Sequence, residues 1–391
     1  MDEAVPHLQV RQLTLQNFRN YDDLHLTFPG GVIAIVGSNG QGKTNIVEAI
    51  GYLSTLHSHR VASDIPLIRH DHTSAVIAAE VIRGDRALMV DIQLNTGRAN
   101  QARINKVAVP RTREILGVLT AITFAPEDLA IVRGDPSERR AFLNDIATQQ
   151  FPRLSGVMAD YDRVLKQRNA LLKSAGGARR SNLEAVSATL SVWDEQLVEF
   201  GTELMCARNE LIVNLAPLVA STYAEIAPHS EPLSLSYDDS LSRSEERPVT
   251  YDPDAVRKAF FQALDTRRQQ ELDRGITLVG PHRDELRLTL GRAPVKGYAS
   301  HGESWSVALA LRLGSYDLLA RERATPVLIL DDVFAELDTR RRRHLAERVA
   351  DAPQAFITAA VDEDVPVDLV GCWLEVDKAE VTQLDRLCAR R

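Results

Sequence analysis

Apolar and polar residues alternate from near the start of the chain: Val10, Leu13 and Leu15, then Leu24, Leu26 and Phe28, then the unbroken run Val32-Ile33-Ala34-Ile35-Val36. A period of two predicts strands with one buried face, and an unbroken run predicts a strand covered on both. Residues 75–82, 88–94 and 102–109 repeat the alternation, and the turns Arg83-Gly84-Asp85-Arg86 and Asn95-Thr96-Gly97 predict antiparallel hairpins. A helical pattern over 45–56 follows the apolar run. From Ser137 the period becomes helical: over 153–174, Leu154, Val157, Met158, Tyr161, Leu165 and Leu172 fall near one face. After the break Gly176-Gly177 a long pattern from Ser181 to 226 predicts an antiparallel helical pair. Residues 228–253, rich in Pro, Ser and charge, read as a loop before a helix over 254–273.

Strands then return. Leu286, Leu288 and Leu290 alternate, a helix is expected from Gly302 to Arg323, a wholly apolar strand over 327–330, a helix over 339–349 and a strand over 355–358. Both wholly apolar runs belong in a sheet covered on two faces, so the simplest architecture places them in one parallel sheet. The expected fold is α/β: a head built from both ends of the chain (residues 1–135 and 276–391), with a mixed sheet, antiparallel hairpins, and an inserted, mainly α-helical lobe (136–275). No internal repeat or low-complexity tract is present.

Composition narrows the classes. With 391 residues, 44% hydrophobic and 26% charged, the chain has room for two domains and an ordinary globular makeup. A net charge of −8 means that any nucleic-acid contact must come from a local basic patch. Cys206, Cys372 and Cys388 are odd in number and lack C-x-x-C spacing, so neither a disulfide framework nor a zinc site is indicated. Residues 1–6 carry no basic and apolar leader pattern, and no stretch approaches the ~18 apolar residues of a membrane span. A cytoplasmic, nucleoid-associated protein without membrane contact is expected.

The chemistry begins at Gly37-Ser38-Asn39-Gly40-Gln41-Gly42-Lys43-Thr44, set between the apolar strand and a helix. This is a P-loop. Its glycines let successive N–H groups curl around a β-phosphate, the helix start adds its positive dipole end, Lys43 reaches the β- and γ-phosphates, and Thr44 offers a hydroxyl to Mg²⁺. The apolar strand ending in Asp331-Asp332 supplies the matching acids, Asp331 for the Mg²⁺ shell and Asp332 to polarise water. Lys43 and Asp332 are thus the expected catalytic pair. No Asn-Lys-x-Asp guanine reader is present, so ATP is the expected nucleotide.

Ser300-His301-Gly302-Glu303 precedes a helix upstream of that strand, where ATPases of the ABC and SMC superfamily carry a signature Ser-x-Gly-Gln. The resemblance implies that Ser300 and Gly302 face the γ-phosphate held by a second subunit. Glu303 departs from the pattern, since a carboxylate beside a phosphate must point away or pair with a cation. Residues 332–338 resemble the D-loop of such dimers, and Thr358 stands where transporters often place a switch histidine.

More extended segments resemble the RecF family of bacterial recombination mediators. They are 13–21, 37–53, Ser58-His59-Arg60, 124–129, Pro136 with 139–144, and Thr277-Leu278-Val279-Gly280-Pro281-His282-Arg283-Asp284. The resemblance implies an ATP-dependent DNA-binding dimer with slow ATPase activity, acting with RecO and RecR to load recombinase at gaps beside duplex DNA. It also implies service in replication restart and the SOS response. Arg19 and Asn20, with Asn17, are expected near the adenine or ribose, as this loop is in related heads. Arg98, Arg103, Lys106, Arg111 and Arg113 form the densest basic stretch, and with Arg60 they are the candidate contacts for sequence-independent DNA binding. Arg340–Arg343 read as surface pairs, and His282 and Arg283 are left unassigned, since a lone histidine and arginine in a loop are more often structural hydrogen-bonders than ligands. The insertion is too short for the arms of an SMC protein. The alternative is a scaffold that binds ATP structurally and recruits partner proteins.

Overall fold

In chain order, the strands β1 (Leu8–Phe18), β2 (Tyr21–Thr27) and β3 (Gly31–Val36) lead to helix α1 (Lys43–Thr55). β4 (Ser74–Arg83), β5 (Arg86–Asn95), β6 (Gln101–Ile104), β7 (Val107–Ala108) and β8 (Ala121–Phe124) follow. Helices α2 (Leu129–Arg133), α3 (Pro136–Gln150), α4 (Leu154–Ala175) and α5 (Leu183–Ile226) come next. Then come β9 (Leu233–Asp238), α6 (Ser242–Glu245), α7 (Pro253–Arg274), β10 (Glu285–Leu290) and β11 (Ala293–Pro294). The chain closes with α8 (His301–Glu322), β12 (Val327–Asp331), α9 (Thr339–Ala350), β13 (Gln354–Ala359), β14 (Cys372–Asp377) and β15 (Glu380–Leu384). This computed structural model describes residues 7–175, 183–245, 250–322 and 324–384. Residues 1–6, Gly176-Gly177, Ser181, Arg323 and Cys388 lie outside the described residues.

Contacts divide the chain into two units: Met1–Arg133 with Leu218–Leu233 and Ala299–Arg391, and Gly134–Pro217 with Ser234–Tyr298. The contacts place the second unit at Gly134–Pro217 and Ser234–Tyr298, beside the 136–275 lobe expected from sequence. The physical reason is strand pairing, because β10 sits between β9 and β11 in a three-stranded sheet. The end of α5 joins the first unit because Gly314 on α8 lets it approach: a Cβ there would meet the Val219 nitrogen at 3.1 Å.

The first unit holds two six-stranded sheets. One is antiparallel, in the order β2-β1-β4-β5-β6-β7, and buries Leu13, Leu15, Ile77, Ala79, Val81 and Ile92 on alternate positions. The other has the order β15-β14-β3-β13-β12-β8, parallel throughout except for the edge strand β15. Its central strands are apolar without alternation because both faces are covered: β12 and β13 are buried at every position. Helix α1 packs against β8, β12 and β13. No helix among the described residues is long and apolar enough to cross a membrane.

Two expectations are corrected. The strand over 102–109 is split into β6 and β7 by a tight turn in which Asn105 and Lys106 both take positive φ, 49° and 67°. A turn of this hand matches the twist of a hairpin, but lysine is an unusual occupant and gave no turn signal. The loop over 228–253 contains β9, where Leu233 and Leu235 are buried between exposed serines. Its polar half disguised the alternation.

The second unit is organised around a buried guanidinium. Arg168 on α4 is fully buried and donates to Asp194 on α5 (2.7 Å), Glu271 on α7 (2.6 Å) and Thr277 (2.8 Å). The apolar layer around Tyr161, Val164, Leu197, Met205, Phe260 and Val279 completes this core. Arg153, just before α4, pairs with Glu203, and Arg168, further along α4, pairs with Asp194, so the pairing order reverses along α5 and the two helices are antiparallel. His282 Nδ1 accepts from the Tyr161 hydroxyl at 2.7 Å while its Nε2 donates to the Thr277 carbonyl at 3.2 Å, and Arg283 donates to the same carbonyl.

Arg168→Ala leaves two buried carboxylates without their cation and is expected to lower the stability of this unit by about 3–5 kcal/mol, read by urea unfolding. Burial lowers His282 from 6.5 to about 4 and raises Asp284 from 3.8 to about 6. At His282 the unfolded chain holds the extra proton in this window, so stability gains as pH rises from 4 to 6.5. At Asp284 the folded chain holds it, so stability falls as pH rises from 4 to 6. The two oppose each other in the wild type. Unfolding of Asp284→Asn should show stability rising over that range, and His282→Gln should show it falling.

Candidate functional site

The glycine loop sits at the carboxyl end of β3, where parallel strands leave a crevice. Gly37 and Gly42 have φ of 145° and 123°. A Cβ at Gly37 would stand 2.2 Å from the Val376 carbonyl oxygen, and one at Gly42 would press on the Asn20 amide and the Tyr21 hydroxyl. Both positions therefore require glycine by space as well as by conformation. Helix α1 starts at Lys43 with no side-chain cap and no acid in its first turn. Its first N–H groups are left for an anion, and its dipole favours one. Lys43 is buried, with Nζ on the Ser38 carbonyl at 3.1 Å.

Strand register brings the acids to this loop. Ile35 on β3 lies opposite Thr358 on β13, and Thr358 lies opposite Asp331 on β12. Consequently the Thr44 hydroxyl donates to Asp331 Oδ1 at 2.9 Å across 287 residues of sequence, and the Thr358 hydroxyl donates to the same oxygen at 2.6 Å. The other oxygen, Oδ2, faces His59 Nε2 at 3.6 Å. Burial pushes the Asp331 carboxyl up, but His59, Thr358 and Thr44 together outweigh it and hold the group below its ordinary range. Asp332 turns into the left-handed region (φ 53°), its N–H held by Thr358 Oγ1 at 2.9 Å. Burial and the neighbouring Asp331 raise its carboxyl, and Lys43 opposes them. One adjacent acid is thus kept ionised and the other is made more basic.

A third carboxylate, which the sequence analysis missed, lies beneath the loop. Glu48 is buried on α1 and accepts both arms of Arg19 (2.9 and 2.6 Å) and the Ser58 hydroxyl (2.5 Å), with Arg60 at 3.5 Å. Its signal was a lone acid inside the apolar stretch Ile46-Val47-Glu48-Ala49-Ile50. Asn20 donates to the Gln41 carbonyl at 2.8 Å and accepts from Asn45 at 2.7 Å, tying the first hairpin to the P-loop. A cavity of about 610 Å³ opens beside these residues, lined by Arg19, Asn20, Asn45, Arg60, Pro66 and Arg69.

Arg60 is therefore set apart from the other basic candidates. Arg98 donates to Asn95 at 3.0 Å, and Arg103 pairs with Asp91 across β5 and β6 at 2.7 Å. Lys106 stands in the β6–β7 turn, and Arg111 precedes the short turn of helix at Thr112–Ile115 that carries Arg113. Ser300 and Gly302 share no hydrogen bond or ion pair with the P-loop or with Asp331 and Asp332 among the described residues. Ser300 and Glu303 cap α8 reciprocally: Glu303 Oε2 accepts from the Ser300 N–H at 2.8 Å, and Ser300 Oγ accepts from the Glu303 N–H at 3.2 Å. These bonds hold the Glu303 carboxyl below its ordinary range and turn it toward its own helix.

The donor set fits a nucleoside triphosphate with a magnesium ion. Among the described residues no cluster of three His, Cys, Asp or Glu side chains could hold a metal by itself. Magnesium needs none, because it commonly takes one or two protein oxygens and completes its shell with phosphate and water. The fold and this site define a P-loop head of the ABC and SMC ATPase class. The family model described as RecF/RecN/SMC N terminal domain matches residues 9–367. Proteins named DNA replication and repair protein RecF are 50% identical in Frankia alni, over 96% of this chain and 99% of that protein. The one in Streptomyces avermitilis is also 50% identical, over 96% and 100%. Among solved structures, the recombination mediator protein RecF-ATP of the RecFOR pathway has a TM-score of 0.88 at 27% identity, covering 98% of this chain and 100% of that one. The Smc head domain of Pyrococcus furiosus has a TM-score of 0.54 at 16% identity and shows the fold alone. The chain belongs to the RecF family.

Glu48→Ala would strand the Arg19 and Arg60 guanidiniums and is expected to cost about 3 kcal/mol or more of stability in the first unit. Hydrogen exchange should accelerate at residues 58–61, whose Arg60 and Val61 amides bond to Ser58. Unchanged exchange there would mean that Glu48 does not organise the segment.

Proposed function

We propose that this chain binds ATP and Mg²⁺ at the Gly37–Thr44 loop, and that ATP controls both its pairing with a second copy and its hold on DNA in recombinational repair. The observation that carries the reading is the meeting of Thr44 with Asp331, beside an uncapped helix start and a buried lysine. In this reading the N–H groups of Gly37, Ser38, Asn39, Gly40, Gln41, Gly42 and Lys43 cradle the β-phosphate. Lys43 neutralises the β- and γ-phosphates, and Thr44 and Asp331 hold the magnesium ion. ATP with Mg²⁺ supplies binding energy for closure and a phosphoanhydride bond whose slow hydrolysis resets the cycle. Asp332, made more basic by burial and by Asp331, orients the attacking water. Asn20 lines the adenosine side of the cleft, and Arg19 acts there through Glu48.

Ser300 and Gly302 are assigned to the nucleotide of the partner head, with Glu303 kept away from phosphate by its bonds to Ser300. Arg98, Lys106, Arg111 and Arg113, with Arg103 only where phosphate displaces its Asp91 partner, are assigned to the DNA backbone, which makes binding salt-dependent and indifferent to sequence. RecO and RecR are the proposed partners, on the strength of the 50% identity to proteins named for DNA replication and repair and the likeness to RecF-ATP of the RecFOR pathway. Recombinase loading at single-strand gaps, replication restart and support of SOS induction complete the proposal.

Dimerisation and binding to gapped duplex DNA, measured together with and without ATP and Mg²⁺, test it. Lys43→Met removes a charge-assisted bond to phosphate and is expected to weaken ATP binding about tenfold or more and to abolish both responses. Asp332→Asn should retain ATP and trap the DNA-bound dimer. If neither dimerisation nor DNA binding responds to ATP, the ATP-gated reading fails, and a scaffold that recruits partner proteins with structural ATP takes its place.

A further inference from the structure

A half-open pocket of about 230 Å³ in the second unit is lined by α3, α4, α5 and the Pro281-His282 segment. Two guanidiniums line it, and among the described residues neither forms an ion pair, although Asp284 and Asp162 act on Arg208, and Asp284 and Glu285 on Arg140, at longer range. Arg208 on α5 is only 4% exposed, and its contacts are to neutral acceptors: the Pro281 carbonyl at 2.6 Å and Asn144 Oδ1 at 3.2 and 2.8 Å. Arg140 on α3 donates once, to the Asp284 carbonyl at 2.9 Å. Arg140 is half-buried, whereas the buried Arg139 and Arg168 of the same unit are each paired with acids. Arg139, next to Arg140, forms a two-armed bond with Glu285 at 2.6 and 2.9 Å, and Arg168 is held by two acids. Buried charges are rarely left without a counter-charge, so the buried Arg208, with the half-buried Arg140 beside it, needs an explanation.

The remaining groups at this cavity are mostly donors. Asn144 spends Oδ1 on Arg208, which leaves its NH₂ group, and Ser137 contributes a hydroxyl on the first turn of α3. Tyr161 and His282 satisfy each other, and His282, lowered by burial to about 4, brings no charge at neutral pH. Asp162, on the exposed side, is the one carboxylate of the lining; it makes no ion pair with Arg208, and burial raises its carboxyl while Arg208 opposes the rise. Burial and Arg208 both push the Arg140 guanidinium down, with Glu285 and Asp284 opposing, as two cations held together require. Water occupies ~30 Å³ per molecule, so the cavity has room for about seven waters, or for a phosphate and part of its ester.

We infer that this cavity is a phosphate-binding site, in which Arg140 and Arg208 clamp the oxyanion and Asn144 and Ser137 complete its hydrogen bonds. A guanidinium fork matches phosphate oxygens in charge and geometry. The phosphate comes either from a nucleic-acid backbone, an arm that rests on the DNA-binding reading above, or from a free phosphate ion.

The test uses the full chain with its P-loop filled by a non-hydrolysable ATP analogue and Mg²⁺, so that inorganic phosphate titrated by calorimetry cannot enter the P-loop, and the Arg140 variants assign what binds to the second unit. Wild type should bind phosphate, Arg140→Gln should bind it at least tenfold more weakly, and Arg140→Lys should recover part of the loss. If the source is nucleic acid, Arg140→Gln also lowers the slope of log K against log salt for gapped DNA by about one, and phosphate competes with DNA. If the source is the free ion, DNA binding is unchanged while phosphate binding is lost. Should Arg140→Gln fail to fold by circular dichroism, Ser137→Ala, on an exposed position, serves instead and should weaken phosphate binding several-fold. Absence of phosphate binding by the wild type, together with an unchanged salt slope in the variant, overturns the inference. ATP affinity is measured alongside and should not move in Arg140→Gln, so failure of this site is distinguishable from failure of the ATP reading.

Discussion

One row of residues across a parallel sheet carries the rest of this structure: Ile35, Thr358 and Asp331, side by side on β3, β13 and β12. Parallel pairing puts the carboxyl ends of these strands at one edge, so whatever follows each strand is delivered to the same place. After β3 comes the glycine loop, and at the end of β12 come two acids. Thr358 lies between them and spends its hydroxyl twice, donating to Asp331 and accepting from the Asp332 N–H. A slip of one residue in either pairing would turn Asp331 to the other face of the sheet and part it from Thr44.

Around that row, electrostatics does the positioning. Glu48 beneath the loop gathers Arg19 from the first hairpin, and Ser58 and Arg60 from the segment after α1, into one buried network. His59, carried in that segment, is thereby held opposite Asp331. Arg168 does the equivalent work in the second unit, joining α4 to α5, α7 and Thr277. Buried ion pairs of this kind add little net stability over well-packed apolar groups, but losing one partner is costly, so they specify one arrangement strongly.

The site also stores conformational strain. Asn17, Arg19 and Asp332 all take positive φ without being glycine. Each lies where a side chain has to leave the run of its strand: Arg19 turns to Glu48, and Asp332 turns after the last residue of β12. Such conformations persist only where surrounding bonds over-determine them, as the Thr358 bond to Asp332 and the Glu48 bonds to Arg19 do here.

Local pattern alone determined the strand-loop-helix of the P-loop, the apolar strand ending in Asp331-Asp332, and the α/β class, because each is written in neighbouring residues by period, glycine and charge. It missed β9, whose serines hide an alternation that only pairing with β10 completes, and it ran β6 and β7 together because Lys106 gave no turn signal. It could not show that Glu48 binds Arg19 and Arg60, that Arg103 is already paired with Asp91, or that Arg140 and Arg208 face one cavity. Those facts depend on which distant segments lie side by side, and the same arginine is free or neutralised according to neighbours that only the tertiary structure supplies.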